Sequence, residues 1–314
     1  MGPVHDLSLI FLIGFLLDAV IGDPQSPLHP VALFGRYAGF LERKIRPLAG
    51  NGRISGGIAW IAATLPVTVL AGVAGWGLGV FGAGACLFVS IALRSLLEHA
   101  DAIRIPLQKG DLEGGRSALA RIVSRRTENL TESEVVRGAI ESLSENLTDA
   151  VTSPCFWCVI GYLLGGVPGA AAGSVFLRAV NTLDACWGYR NERYRFFGSV
   201  AARTDDGVHW IPARMTALAI ALVSGHPFRT FGCAWRHRHD HPSPNSCWSM
   251  AAFAGALRIR LGGPTRYEDG VENYPYWGTG KMELNISDLV AAEHLALRSA
   301  LAFASLAWSM GIWI

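Results

Sequence analysis

An all-α integral membrane protein that crosses the bilayer several times is the fold class predicted by three features of this 314-residue chain. Hydrophobic residues make up 51% of it and charged residues 17%, against about 25% charged in an ordinary globular domain. From Ile54 to Leu93 there are 40 consecutive residues without a charge, enough for two spans of about 20 apolar residues each. Apolar residues recur at three- and four-residue spacing through the charged parts, and no alternation is long enough to found a sheet. A soluble core rarely produces so long an uncharged run. The expectation is a multi-pass helical bundle with cytoplasmic helices and polar loops, one membrane domain over residues 1–314.

The elements follow in order. Leu7 to Val20 is a short apolar segment interrupted by Asp18. Gly22-Asp23-Pro24 then leads straight into a turn, so the segment does not read as a cleavable signal. Arg36 to Arg53 carries five basic residues and one acid, Glu42. The positive-inside rule places it in the cytoplasm. Ile54 to Leu93 reads as two spans joined near the glycine-rich stretch Gly72 to Gly84, which returns the chain to the same side at Arg94. Residues 94–149 are then a cytoplasmic helical insertion, with helices at Leu93 to Leu107 and Leu112 to Ser124. A third helix starts at Thr131, with Glu134 completing a capping box, and runs through Val135, Ala139, Leu143 and Leu147. Ala150 to Leu177 is a second uncharged run of 28 residues, broken by Gly165-Gly166-Val167-Pro168-Gly169. It reads as one tilted helix or as a re-entrant hairpin. Ile211 to Ser224 and Leu301 to Ile314 are shorter apolar segments, the former read as re-entrant or interfacial.

Charge and cysteine usage narrow the function. A net charge of +2 provides no broad basic field for nucleic acid. The six cysteines lie within or beside apolar runs and read as packing residues, including the pair in Cys155-Phe-Trp-Cys158, which has no basic neighbour to lower a thiol pKa. His237-Arg238-His239-Asp240-His241 has no cysteine or carboxylate at a typical zinc spacing and reads as a solvated loop.

Two polar constellations stand against this apolar background. Arg178 to Asp206 holds five arginines, three aspartates, a glutamate and two asparagines among aromatic residues. Groups this dense beside apolar sequence are expensive to bury without partners, and charged substrates or metal ions would supply them. Upstream, Glu141, Glu145, Thr148 and Asp149 follow helical spacing and share one face, running directly into Ala150 where solvation fails. Carboxylates at that depth need a cation, and Mg²⁺ bridging phosphates is a common biological answer. Asn181 and Asp184, three residues apart, repeat the pattern at the far end of the same apolar segment.

The strings GDPQSPLHPVALFGR at 22–36, ESLSENLTDAVTSP at 141–154, AVNTLDACWGYRNERYRFFG at 179–198, RTDDGVHWIPARMTAL at 203–218, SPNSCW at 243–248 and GALRIRLGGP at 255–264 resemble the CobD/CbiB family of cobalamin biosynthesis. So does Pro275-Tyr276-Trp277-Gly278, with a helix expected near Asp288. The strings stand in the family's order and span nearly the whole chain. The resemblance implies an integral membrane adenosylcobinamide-phosphate (or cobinamide) synthase. Such an enzyme joins a propionate carboxyl of cobyric acid, a corrinoid, to 1-amino-2-propanol or its phosphate in an ATP-dependent amide bond.

With that chemistry, the catalytic candidates are Glu141, Glu145, Asn146, Asp149, Asn181 and Asp184. Candidates for holding substrate or phosphate are Asp23, His29, Arg190, Asn191, Glu192, Arg193, Tyr194, Arg203, Arg214, Ser243, Asn245 and Gly263. Asp205 and Asp206 are candidate Mg²⁺ ligands. ATP and Mg²⁺ are the expected cofactors, since a carboxylate must be activated before an amine attacks it. Expected partners are the corrinoid, the amine and the lipid bilayer of the cell (inner) membrane, with room for other late cobalamin-pathway membrane enzymes and for a second copy of the chain. No Walker loop is present: around Gly280-Lys281 the first glycine is replaced by Pro275 and the Ser or Thr by Met282. Ala150 stands where the family commonly has glycine, and His209-Trp210 replaces a more usual Asn-Tyr-like pair. Two other classes compete: a corrinoid transporter, which would carry inverted repeats that are not seen, and a regulatory protein of the AmpE-like branch, which would have lost the E-N-x-T-D and R-N-E-R patterns kept here.

Overall fold

Both uncharged runs turn back on themselves at glycine. The structure, a computed structural model, describes residues 5–23, 26–189, 191–267 and 270–313. Their contacts divide into two compact units, Met1–Ala92 with Ser153–His209 and Ala304–Ile314, and Leu93–Thr152 with Trp210–Phe303.

The first unit opens with α1 (Asp6–Ile21) and α2 (Pro30–Ala49), followed by α3 (Arg53–Ser90). Within α3, Gly79 leaves the helix with φ 58° and ψ −142°. A Cβ on Gly82 would lie 2.3 Å from the Ala74 carbonyl oxygen, whereas residues eight apart in a straight helix are separated by about 12 Å. The chain therefore reverses, and the expected pair of apolar segments is a helical hairpin with its turn inside the glycine-rich stretch. After α4 (Leu93–Gln108), α5 (Leu112–Leu119), α6 (Glu132–Leu147) and a π-helical turn at Thr148–Thr152 comes α7 (Ser153–Trp187). It repeats the reversal at Gly165 and Gly166. A Cβ on Gly161 would meet the Gly169 oxygen at 2.0 Å, and one on Gly173 the Trp157 oxygen at 2.2 Å. The second uncharged run is thus a hairpin whose arms touch backbone to backbone through glycine, not one tilted helix.

The two hairpins pack on each other through small residues: a Cβ on Gly75 would lie 3.0 Å from both Ala171 and Pro168. Close backbone approach of this kind is how apolar helices associate where no hydrophobic driving force separates them from lipid. A cluster of Ala38, Ala59, Ala63, Leu183, Trp187, Phe197 and Ala201 fills the interior beside them. Helix α8 (Ser199–Val208) joins this unit, with the Trp157 indole donating to the Val208 carbonyl at 3.0 Å.

The second unit contains α4 to α6, α9 (Trp210–Val223), α10 (Pro227–His237), α11 (Ser246–Leu257) and most of α12 (Ile286–Trp313), which begins two residues before Asp288. The capping box forms as expected: Thr131 Oγ1 accepts from the Glu134 N–H, and the Glu134 carboxylate from the Thr131 N–H at 2.8 Å. Two expectations are corrected. Helix α5 ends at Leu119 and not Ser124, because residues 122–125 turn away to line a cavity and Arg126 N–H donates to the Arg266 carbonyl at 2.8 Å. A sheet was not expected, yet β1 (Leu261–Tyr267) and β2 (Gly270–Trp277) form an antiparallel hairpin. Its register shifts between Gly262 and Pro264, where Gly262 and Gly263 take φ of 78° and 84°. Only glycine adopts such angles cheaply.

By length and composition alone, with the reversing stretches counted whole, three helical segments among the described residues are apolar and long enough to cross a membrane: Arg53–Gln108, Glu132–Trp187 and Ile286–Ser309. Apart from the small hairpin, the protein is an all-α multi-pass membrane protein.

Candidate active site

The predicted residues fall in both units, and each unit gathers its own set. In the second, a cavity of about 160 Å³ is lined by Glu141, Glu145, Asn146 and Ser142 of α6, Arg125 of the preceding loop, His241, and Tyr267, Tyr274 and Trp277 of the β-hairpin. Helix α6 presents these residues because its other positions bury Val135, Val136, Ala139, Ile140, Leu143 and Leu147. The four-residue step from Glu141 to Glu145 carries both carboxylates to the cavity. Asp149, one turn further, does not line it, since the π-helical turn beginning at Thr148 breaks the register. Such single π turns interrupt helices frequently at functional sites.

Glu141 is almost wholly buried and fully engaged. Its Oε2 lies 2.6 Å from Arg125 Nη1, and its Oε1 accepts from the Gly262 N–H at 2.6 Å. Burial opposes the Arg125 charge, but the Glu141 carboxylate and its hydrogen bond outweigh it and hold the guanidinium pKa above its ordinary value. Glu145 is engaged more lightly, its Oε1 accepting from Ser246 Oγ at 2.7 Å. Asn146 donates through Nδ2 to the Ser142 carbonyl at 2.8 Å.

Aromatic rings wall the other side. His241 stacks on Tyr274 with centroids 5.3 Å apart and planes 24° apart, and meets the Trp277 ring at 6.2 Å. Its Nδ1 accepts from the Ser243 N–H at 3.1 Å, which leaves Nε2 as the proton-bearing nitrogen of a neutral ring. Burial lowers its pKa, with Glu145, Glu141 and Glu272 pulling the other way. Tyr274 donates to Glu272, and burial together with that bond raises its phenol pKa. The histidine tract, read as a solvated loop, thus delivers His241 to the cavity wall. His237 is paired with Asp240 at 2.7 Å.

The 243–248 string is the scaffold of this site. Ser243 fixes His241, Asn245 Oδ1 accepts from Arg214 Nη1 at 3.3 Å, and Ser246 fixes Glu145. Arg214 lies over the Trp210 ring at 4.0 Å and the Trp248 ring at 4.8 Å. Gly263 serves the bulge: a Cβ there would strike the Tyr276 ring at 2.4 Å.

In the first unit, Arg193 and Tyr194 both bind Glu42 of α2, at 2.7 and 3.2 Å, and Arg46 donates to the Arg193 carbonyl while stacking on Phe197 at 4.4 Å. Asn191 Oδ1 accepts from the Tyr194 N–H, and the Glu192 carbonyl from Asn51. The N-E-R-Y part of the polar block is therefore pinned to the basic α2 segment, and Arg190 lies outside the described residues. Asn181 Nδ2 approaches Asp205 Oδ1 at 3.4 Å, and His209 Nδ1 lies 2.9 Å from the Asp205 carbonyl. The Asp184 carbonyl accepts from Gly188 N–H, Asp23 pairs with His29 at 3.1 Å, and Arg203 is exposed.

Among the described residues, no group of three or more His, Cys, Asp and Glu side chains is placed to hold a metal ion. Asp205 and Asp206 are successive on α8 and project about 100° apart.

Arg125, His241, Tyr267 and Tyr274 were not among the sequence candidates. Arg125 sits in a loop without periodicity, and the rings come from a hairpin too short and too rich in glycine and proline to register as strands.

Fold and site together define a helical membrane protein with a polar, aromatic-walled cavity. The chain belongs to the CobD/CbiB family: the model described as CobD/Cbib protein matches residues 11–296. It is 35% identical over 302 residues to cobalamin biosynthesis protein CbiB of Salmonella typhimurium (strain LT2), covering 90% of each chain. It is 36% identical to the cobalamin biosynthesis proteins CobD of Klebsiella pneumoniae, over 90% of each chain, and of Clostridium perfringens, over 90% of this chain and 91% of that one. No solved structure matches the chain. Membership gives the protein a role in cobalamin biosynthesis.

Proposed function

We propose that the chain is an adenosylcobinamide-phosphate (or cobinamide) synthase, a ligase that joins a propionate carboxyl of cobyric acid to 1-amino-2-propanol or its phosphate at the expense of ATP. The observation that carries this reading is the cavity on α6: Glu141, Glu145 and Asn146, all from the family-like string at 141–154, converge there with a half-buried arginine, a neutral histidine and two tyrosines.

Amide formation sets two demands. The carboxylate must become an acyl electrophile, most simply an acyl phosphate formed with ATP as co-substrate, whose phosphate leaves as the C–N bond forms. The amine, an ammonium at neutral pH, must lose one proton to attack and a second as the amide forms. Glu145, held by one hydroxyl, is the group placed to receive a proton in that step. Glu141 is committed to Arg125 and Gly262 and serves as a fixed wall that orients the guanidinium. Magnesium enters as the counter-ion of the nucleotide phosphates, and no residue described here is assigned to it.

The test uses purified protein in detergent with cobyric acid, Mg-ATP and either amine, followed by mass spectrometry of the corrinoid. The expected result is a product heavier by one amine less water, formed only with ATP. A protein that binds corrinoid yet forms no product with either amine would refute the assignment.

A further inference from the structure

Helix α10 turns aromatic rings away from the protein. Phe228 is 93% exposed and Trp235 55%. Seven residues apart on one helix, they share a face, with Gly232 exposed between them. On the other side of the helix Thr230, Cys233 and Ala234 are buried. Arg229 and Arg236, also seven apart, flank the aromatic face, and Arg238 folds back over the Trp235 ring at 4.2 Å. The helix contains no acidic residue, and the next one along the chain, Asp240, is paired with His237. Arg229 donates to the Gly255 and Ala256 carbonyls at 2.8 and 3.0 Å, which fastens α10 to the end of α11.

The preceding helix adds to this surface. Ile211, Leu218 and Leu222 are exposed and follow helical spacing along one face of α9. Ser224 Oγ accepts from the His226 N–H at 3.1 Å and from Thr230 Oγ1 at 2.9 Å, which fixes the turn from α9 into α10. Helix α9 has 14 residues and α10 has 11, about 21 and 16 Å of helix. Neither reaches across a hydrocarbon core of about 30 Å. Short helices with Phe, Trp and Leu on one face and arginine beside them suit the plane of a bilayer interface. A second copy of the chain fits the same face poorly. A two-fold contact sets each residue group against its own counterpart, so Arg229, Arg236 and Arg238 would meet the same arginines, and like charges set face to face cost affinity. Anionic headgroups reverse that sign.

We propose that α10 is an in-plane membrane anchor selective for anionic phospholipid, with Phe228 and Trp235 among the upper acyl chains and Arg236 and Arg238 on the lipid phosphates. The anchor does not depend on the reaction assigned to the α6 cavity.

The experiment places a small fluorescent probe on Phe228→Cys in the full chain, with the wild-type chain taken through the same labelling as the blank for its six native cysteines. The protein is reconstituted into vesicles of phosphatidylcholine and phosphatidylglycerol in equal amounts, with bromine near the top of the acyl chains of one lipid or the other. Both brominated lipids are expected to quench the probe, and brominated phosphatidylglycerol more strongly. Arg236→Gln and Arg238→Gln should each reduce that preference, by up to about fivefold, the factor expected for one basic residue at an anionic surface. A probe that aqueous iodide quenches and neither brominated lipid does lies in water, and overturns the proposal. Self-quenching that grows with the ratio of protein to lipid, without quenching by bromine, assigns the face to a second copy and overturns it as well. Equal quenching by the two lipids in the wild-type background, unmoved by either arginine variant, removes the anionic selectivity and with it the proposal. Should an arginine variant fail to insert, the comparison of the two brominated lipids with Phe228→Cys alone still decides.

Discussion

Arg125, half-buried, and Glu141, buried, form an ion pair tied to the backbone of β1, and neither member tolerates the loss of the other. Removing one partner of such a pair leaves a charge in low dielectric and costs about 3–5 kcal/mol, whereas replacing both by apolar groups of similar volume is often close to neutral. Arg125→Met alone should therefore lower the melting temperature in detergent, and Arg125→Met with Glu141→Leu should recover a large part of the loss. If the double variant is as unstable as the sum of the singles, the pair is not the coupled unit described. His241 gives a pH signature. Its pKa is lowered by burial in the folded state, so unfolding takes up a proton. The stability it contributes is complete above the ordinary histidine value of about 6.5 and declines as pH falls from there toward the depressed folded value. Melting curves at pH 7.5 and 5.5 should show a smaller acid loss for His241→Gln than for the wild-type chain. At this scale the sequence was half legible. Glu141 and Glu145 declare themselves by their four-residue step, but Arg125 reaches the cavity only because the chain turns out of α5 early. Nothing in residues 120–127 has a period that would announce this.

At the scale of elements, glycine decides which uncharged runs reverse and how tightly the arms meet. Gly161 lies where any Cβ would enter van der Waals contact with the Gly169 oxygen, whereas a Cβ on Gly165 meets nothing within 4 Å. Gly161→Ala should force the arms of α7 apart, a change of the overpacking kind that costs about 1–3 kcal/mol. Gly165→Ala should leave thermal stability within about 0.5 kcal/mol of the wild type. Comparable melting temperatures for the two variants would mean that the arms do not touch. The run length and the Gly-Gly-Val-Pro-Gly break narrowed the sequence reading to a tilted helix or a hairpin. The decision needed the pairing of Trp157 with Gly173 and Gly161 with Gly169, a contact between arms that no local period encodes. The β-hairpin was illegible for a related reason, since its bulge at Gly262 and Gly263 breaks the alternation that marks a strand.

For the whole molecule, helix lengths bear on how deep the hairpin tips of the first unit go. The uncharged part of the α7 arms is 12 residues before the turn (Ser153 to Leu164) and 11 after it (Val167 to Leu177), which is about 18 and 16 Å of helix. A hydrocarbon core is about 30 Å thick, so α7 by itself falls short of crossing. The first arm of α3 does not: from Ile54 to Leu78 it is 25 residues, about 38 Å. The contact of Gly75 with Pro168 and Ala171 puts both tips at one depth. The backbone at Gly79, Gly165 and Gly166 has open space around it, which hydrocarbon does not accept but an interface does. Trp76, 80% exposed, stands beside the α3 turn in the place of an interfacial anchor. The expectation from these lengths is that the tips lie at the interface opposite the basic α2 segment, with Arg178 and Asn181 below the nearer headgroups. A cysteine introduced at Gly165, in a chain whose six native cysteines are replaced by alanine or serine, should react with a membrane-impermeant maleimide only from the side opposite Arg43 and Lys44. Labelling from the Arg43 side, or from neither side, would show that the tips stop inside the bilayer and that the polar ends of the hairpins lie level with the surface.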